Sequence, residues 1–483
     1  MSDTKQNLNT LTYKETRTVA FWKVTEYIGL ILFLAVIPRS MGAEEYGNFA
    51  LILALVGMCV LVGALGGVAM FGRFVPKFYA DNQPEKVNAL FTQLFVIRLV
   101  LALPMMILLP YILSILRPDI SSEVRMAAVV AYFFGTVSMS CFQLFYGQNR
   151  MGRWLFHDAS SRLLLVILLA VYWRDFDLKN AVYCLAVVEF ILVCPALFLA
   201  RKYFDFQSAI VQTSTLVSHL KFGLTFFASN LLLMVVWRSG EVLIVSFSGE
   251  SEQVAFYNLA NSVFLALNAL FAQIGTILIP SVSALHASGL HGKKEKWLGF
   301  YLKYITVATF LALIVISAIG EQVLALLLGQ GFTEVTTNLL IISISLLPLN
   351  LVRLGIITSV VHDKLRENFL MAGVAMVSFL VSAIFLTPEM GARGVSVSVV
   401  ISAFSSAIFA CWHLKLASTV LLADFGRIVL LGFVVVCFVV FSGYPRIETG
   451  VASLFVFILL LFVLRIVQVS ELMEMITDGS GAD

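Results

Sequence analysis

Lys23 and Glu26 stand three residues apart in an otherwise apolar stretch, and Arg238 and Glu241 repeat that spacing more than two hundred residues later. A spacing of three puts both members on one helix face. Arg98, Glu189 and Arg353 stand singly inside further apolar runs, the last of them after Pro348, which removes a backbone donor and bends a helix. An ionisable side chain at mid-membrane costs about 2.5–3.5 kcal/mol, so each needs a partner, a wet cavity or a route to the interface. Two chemistries suit such residues. A guanidinium offers a fixed fork of donors to phosphate oxygens, and a carboxylate in low-dielectric surroundings gains a proton near neutral pH. Arg238, Arg353, Arg98 and Lys23 are therefore the candidate anion-binding residues, and Glu26, Glu189 and Glu241 the candidate carriers of H⁺ or Na⁺. Plainer roles stay open: Lys23 and Glu26 as a self-neutralising pair near the interface, and Arg98 with Glu189 as a structural bridge. Lys303 and Glu321 read as interfacial side chains that snorkel.

The elements that must position these groups follow from composition. Of 483 residues, 60% are hydrophobic and 13% charged, and mean hydropathy is +0.95, whereas soluble domains carry about 25% charged residues. The chain reads as a polytopic membrane protein. A formal charge of +3, spread over short scattered basic groups, gives no footprint for nucleic acid. Cys59, Cys141, Cys184, Cys194, Cys411 and Cys437 all lie in apolar runs, without the paired Cys or His spacing of a metal site. The histidines lie at or near inner ends, with His157 in an inner linker, and form no metal constellation. The polar N-terminus reads as a retained tail and not as a cleaved signal.

A helix needs about 20 apolar residues to cross the hydrocarbon core. On that scale the sequence predicts fourteen spans, near 20–37, 49–71, 88–113, 124–146, 161–174, 181–200, 222–247, 254–279, 298–328, 335–361, 368–387, 391–414, 424–442 and 447–467. With the N-terminus inside, twenty Lys and Arg fall in inner connections and tails and seven in outer ones. Cytoplasmic loops hold the excess of basic residues, so both termini are expected in the cytoplasm.

Between the first two spans lies "VIPRSMGAEEYGNFALILALVG", beginning at Val36, and between the seventh and eighth "VSFSGESEQVAFYNLANSVFLAL", beginning at Val245. Each has a small acidic island and a Tyr and Asn before a fresh apolar run. Each is followed, after one more span, by a Pro and a basic inner linker. The pattern predicts an all-α polytopic membrane protein of about 14 transmembrane helices, two six-helix bundles around a central cavity plus two C-terminal helices. The expected division is a tail at 1–19, bundles at 20–200 and 222–414 joined by a cytoplasmic linker at 201–221, two added helices at 415–467 and a cytoplasmic tail at 468–483.

The run "PRSMGAEEYGNFALILALVG" with "GALGGVAMFGRFVPKFYA", and the second-half "RSGEVLIVSFSGESEQVAFYNLANSV", resembles the polysaccharide transporters that include O-antigen (Wzx-type) flippases. These are similar in fold to MurJ-type lipid II flippases and MATE multidrug exporters, whose superfamily they share. The resemblance implies a flippase of the bacterial cytoplasmic membrane. It would carry polyprenyl-pyrophosphate-linked oligosaccharide from the inner to the outer leaflet by alternating access, without a cofactor. Its partners would be that substrate, membrane lipids and polysaccharide polymerase or chain-length machinery.

Two other readings stand beside it. An ion-coupled drug exporter of the same fold would favour acidic pockets for organic cations, whereas the buried charges here include several arginines. An integral-membrane polymerase or ligase would place catalytic groups in a sizeable loop. The outer connections are all short, and the longest inner one has a single acid, Asp205.

The topology is checked by labelling single cysteines placed in a cysteine-free background. Ala43→Cys and Glu250→Cys are expected to react from outside, Asn82→Cys and Lys293→Cys from inside. Labelling of Ala43→Cys from the cytoplasmic side alone overturns the orientation.

Overall fold

The computed structural model describes residues 2–483 apart from 172–175, 212, 363, 414–418, 442–445, 465 and 468–483, so the C-terminal tail, Arg174, Lys415 and Arg465 lie outside the described residues. Among the described residues the elements are α-helices and two short 3₁₀ turns. They are α1 (Ser2–Met41), α2 (Ala43–Gly63), α3 (Gly67–Ala80), α4 (Pro84–Leu116), α5 (Ser122–Gly147), α6 (Met151–Val171), α7 (Leu178–Ala200), α8 (Phe206–Val211), α9 (Thr213–Arg238), α10 (Gly240–Ser248), α11 (Ser251–Ala287), α12 (His291–Leu328), α13 (Thr333–Ser343), α14 (Leu346–Val361), α15 (Leu365–Met390), α16 (Ala392–His413), α17 (Thr419–Phe441) and α18 (Arg446–Val463). Among the described residues twelve stretches are long and apolar enough to cross a membrane, and two shorter apolar helices, Phe425–Phe441 and Ile447–Val463, follow them. The chain is an all-α, multi-pass membrane protein. Large apolar side chains such as Ile107, Phe385, Trp412 and Phe441 are exposed, as befits a surface whose solvent is lipid.

The chain divides into two compact units, Met1–Asn258 and Leu259–Asp483. In the first, α5 is the central helix and packs on α2, α3, α4, α6 and α7. Its sequence explains the place: Gly135, Ser138, Ser140 and Cys141 are small and buried, so neighbouring backbones approach closely. Toward its C-terminal end Phe142 and Phe145 join Phe71, Phe91 and Tyr203 in an aromatic core. In the second unit α15 and α16 pair along their lengths. Ser402 and Ser406 on α16 donate to the carbonyls of Ala375 and Met371 on α15, at 2.8 and 3.2 Å. Helices α17 and α18 pack on α12 around Phe310, Ile428 and Phe457.

Hydropathy alone predicts continuous second, seventh and tenth spans, and the structure interrupts all three. The second breaks at Ala64–Gly66 between α2 and α3, the seventh at Ser239 between α9 and α10, and the tenth at Ile344–Ser345 between α13 and α14. The first break has a visible cause in "GALGG". Leu65 (φ 47°) and Gly66 (φ 70°) adopt left-handed backbone, and a Cβ on Gly66 would overlap the Gly223 carbonyl of α9. Pro348 lies in the first turn of α14, where its missing donor has no intrahelical partner to lose. The bend expected at this proline is therefore a break just upstream of it. The fifth span also begins earlier, at Met151 and not near 161, because partners within the protein accommodate the polar residues that hydropathy rejects.

Gly66→Ala is expected to destabilise the purified protein by about 1–3 kcal/mol, from left-handed strain plus the clash with Gly223. Gly57→Ala, with open space around its Cβ in α2, should leave the thermal midpoint unchanged or slightly raised. Equal midpoints for the two variants in a detergent unfolding scan would show that the break is not sterically enforced.

Candidate functional site

A helix that stops inside a membrane leaves carbonyl groups without intrahelical partners, and no water is at hand to satisfy them. At the end of α2 the carbonyl of Ala64 accepts from Arg98 of α4 at 2.7 Å. The same guanidinium nitrogen donates to Gln143 Oε1 of α5. A cation at a helix C-terminus also complements the macrodipole. The glycine at 67 makes room, since a Cβ there would overlap the Arg98 guanidinium. Arg98 is 2% exposed, its Nε has no acceptor, and among the described residues it makes no ion pair. The expected alternative of a bridge to Glu189 is not formed.

Glu189, buried on α7, turns instead to His157 of α6. The His157 Nε2 lies 3.2 Å from Glu189 Oε2, and Nδ1 lies 3.1 Å from Asp158 Oδ1. With a carboxylate facing each ring nitrogen, an imidazole protonated on both would donate to both. Ser138 of α5 adds a long bond to Glu189 at 3.5 Å. His157 is thus a buried helix residue and not part of a linker. Its signal in the sequence was the pair His157–Asp158, a few residues before the apolar run that starts at Leu163, which becomes legible only once Glu189 is known to face it. On the neighbouring α1, Lys23 Nζ lies 2.8 Å from Glu26 Oε2, with Arg162 of α6 at 3.9 Å from the other carboxylate oxygen. Charges of alternating sign therefore run across α1, α6 and α7.

Arg238 and Glu241 do not share one continuous helix. Arg238 ends α9 and Glu241 opens α10, so each charge complements the dipole of its own helix end. Arg238 is exposed and, among the described residues, has no hydrogen-bond or ion-pair partner. Glu241 is 1% exposed. Its Oε1 accepts from Asn258 Nδ2 at 2.8 Å, and Oε2 is buried with no partner. The Asn258 oxygen accepts in turn from the Tyr46 hydroxyl at 2.9 Å. Beside them Ser251 donates to Asn48 Oδ1 at 2.9 Å, and Gly47 meets the Ser251 backbone so closely that any Cβ would overlap it. Arg117 also reaches Ser251, and its guanidinium holds the Asp119 carboxyl below the usual carboxylate range through a hydrogen bond. The two similar stretches noted in the sequence thus bond to each other, residue 46 to 258 and 48 to 251.

In the second unit Arg353 of α14 donates to Asn350 Oδ1 at 2.6 Å and to the side-chain and backbone oxygens of Asn268 on α11. Asn350 Nδ2 donates onward to Thr309 of α12 at 2.9 Å. Arg353 is buried among neutral oxygens, with no carboxylate among its described partners. The asparagines that hold it carry no charge, and a search for opposite charge in the sequence passes over them. One turn before Arg353, Pro348 lines an apolar cavity of about 460 Å³ between α14, α16 and α17, walled by Phe404, Ile408 and Trp412.

Residues 18–286 match a family model described as polysaccharide biosynthesis protein. An uncharacterized membrane protein of Methanocaldococcus jannaschii is 21% identical over 419 residues, 80% of each chain. The structure is similar to that of the lipid II flippase MurJ in an inward closed conformation, with TM-score 0.70 and 12% identity over 94% of this chain and 100% of that one. It is also similar to an inward-facing multidrug resistance MATE family transporter of the MOP superfamily, with TM-score 0.68 and 12% identity over 83% and 96% of the two chains. At such identities the likeness to solved structures is one of fold.

Proposed function

The chain belongs to the polysaccharide biosynthesis protein family, and from that premise we propose that it is a flippase. Its cargo is polyprenyl-pyrophosphate-linked oligosaccharide, an O-antigen or other surface-polysaccharide repeat unit, carried from the inner to the outer leaflet of the bacterial cytoplasmic membrane. The observation that carries this reading is Arg238, an exposed guanidinium that among the described residues has no hydrogen-bond or ion-pair partner, at the break of an otherwise apolar span. A permanently charged fork placed so is costly unless it meets an anion, and pyrophosphate offers oxygens at matching spacing. Arg353 and Arg98 add positive charge inside their own units, held by amide and carbonyl oxygens that leave it unneutralised. Lys23 is neutralised by Glu26 and contributes least.

The three broken spans supply the moving parts, because discontinuous helices let segments rock without rupturing a regular hydrogen-bond ladder. The oligosaccharide crosses in a wet cavity while the prenyl tail stays in lipid. Coupling to H⁺ or Na⁺ is assigned to the half-buried Glu26 and the buried Glu189 and Glu241. Glu241 comes first among them because its Oε2 is buried and unsatisfied. The same charges weigh against a drug exporter, for which an exposed arginine would repel organic cations.

The test is flipping of a polyprenyl pyrophosphate oligosaccharide in proteoliposomes at matched protein levels. Transport should fall in the order parent, Arg238→Lys, Arg238→Ala, with the last down about tenfold or more, the worth of a charged hydrogen bond. If Arg238 and Glu241 only balance each other, the double alanine variant regains the activity that each single change loses. Normal flipping by Arg238→Ala removes it from the substrate site. In the same vesicles, Glu241→Gln should flip without responding to an imposed proton or sodium gradient. If Glu26→Gln, Glu189→Gln and Glu241→Gln all respond like the parent, coupling through these carboxylates is excluded.

A further inference from the structure

A cavity of about 370 Å³ lies within the first unit, where α3, α9 and the turn between α5 and α6 meet. That size is within the range of about 300–1,000 Å³ typical of small-ligand sites. Its wall carries a single formal charge, Arg73. The guanidinium lies over the Phe222 ring at 4.2 Å and near Phe74 at 5.8 Å. Stacking satisfies the flat face of a guanidinium and leaves its N–H edge free. Among the described residues that edge has no acceptor: Arg73 forms no hydrogen bond and no ion pair. The Tyr146 hydroxyl and the Asn149 side chain, also in the wall, likewise have no hydrogen-bond partner among the described residues.

The backbone around the cavity is shaped to keep it open. Gly72 lies against the Tyr146 ring and Gly147 against the Phe71 carbonyl, each so closely that a Cβ would overlap. Asn149 takes a left-handed φ of 54° where α5 ends, a conformation that asparagine tolerates better than most residues. The turn is tied by Asn149 N to Tyr146 O at 3.1 Å and Arg150 N to Phe145 O at 2.9 Å. Seven residues separate Arg73 from the end of α3 at Ala80, about 10 Å at the helical rise. By the charge bias of the connections this is the inner end. An aromatic face, a free guanidinium edge, a phenol and an amide around one space are what a phosphorylated sugar requires. The ring packs on the aromatic, its hydroxyls bond to amide and phenol, and the phosphoryl group takes the guanidinium.

We infer that this cavity is a loading subsite for a sugar phosphate, in which Arg73, held by stacking on Phe222, grips the phosphoryl group and Tyr146 and Asn149 hold the first sugar. It rests on the flippase reading: the sugar phosphate is the head of the lipid-linked oligosaccharide as it leaves the inner leaflet. Arg73, exposed at the inner end, acts before Arg238.

The experiment measures binding of undecaprenyl pyrophosphoryl N-acetylglucosamine to the full chain in phosphatidylcholine nanodiscs. Arg73→Ala should raise Kd about tenfold or more, with Arg73→Lys in between, and Phe222→Leu about threefold. Asn149→Gly, which keeps the left-handed backbone and removes the amide, should also weaken binding. Lys77→Ala, one turn along α3 and outside the cavity wall, should leave Kd unchanged. Soluble N-acetylglucosamine 1-phosphate should compete in the parent and not in Arg73→Ala. Parent binding that all four cavity variants preserve overturns the subsite and leaves the flippase reading standing. Binding abolished by phosphatidylglycerol in the nanodisc, with no competition from the sugar phosphate, makes the site a phospholipid headgroup contact and overturns it too. A parent that neither binds nor flips the lipid-linked sugar removes the flippase reading, and the subsite with it.

Discussion

Inside a bilayer every N–H and C=O must find its partner within the protein, and the arrangement around Arg98 shows how much of this fold follows from that demand. Ending α2 in mid-span leaves the Ala64 carbonyl with the Gly67 N–H of the turn as its backbone donor, at 2.8 Å, and a guanidinium from α4 adds a second donor. Bringing the guanidinium there requires an unadorned backbone at Gly67, and bringing α9 close requires the same at Gly66. The other N–H of the same nitrogen draws in Gln143, a polar residue of the central helix α5. One broken helix thus fixes the identity of residues on three others. Arg353 in the second unit is likewise held by neutral oxygens, those of the Asn350 side chain and of the Asn268 side chain and backbone, with Asn350 tied on to Thr309.

Polar side chains in this protein therefore come in connected groups, and the groups differ in character. Those around Arg98 and Arg353 are held by neutral oxygens and keep their positive charge. Those on α1, α6 and α7 alternate in sign and neutralise themselves. Glu241 stands between these cases, half satisfied by Asn258 and half open. Net positive charge inside apolar units agrees with an anionic cargo, and a carboxylate with one free oxygen agrees with an ion that binds and leaves.

Span positions were legible in the sequence because hydrophobic length is a bulk property, and each of the fourteen expected segments overlaps a helical stretch among the described residues. Interruptions were not, since a helix that breaks without losing hydropathy leaves no trace in a window average. "GALGG", through its glycines, and Pro348, just past the break in the tenth span, were local signals. The spacing of Lys23 and Glu26 gave their contact, which needs only a continuous helix. The same spacing failed for Arg238 and Glu241, where continuity is lost at Ser239. His157 and Glu189 lie 32 positions apart and meet only through the packing of α6 on α7. Neutral partners of a buried arginine are harder still to find, because asparagine and glutamine announce no charge.

The bonds from Tyr46 to Asn258 and from Ser251 to Asn48 span 212 and 203 positions of the chain. They impose an order on biogenesis. The hairpin between α1 and α2 is synthesised and inserted early, yet the Tyr46 hydroxyl and the Asn48 carboxamide wait for their partners until more than half of the polypeptide has left the ribosome. During that interval the first six spans sit in the membrane with polar groups that lipid cannot satisfy, and the arrival of α11 relieves them. Maturation of the early half is thereby tied to synthesis of the later one, so a nascent chain arrested short of residue 251 carries an unmet need for hydrogen bonds, the feature by which membrane quality control separates unfinished chains from complete ones.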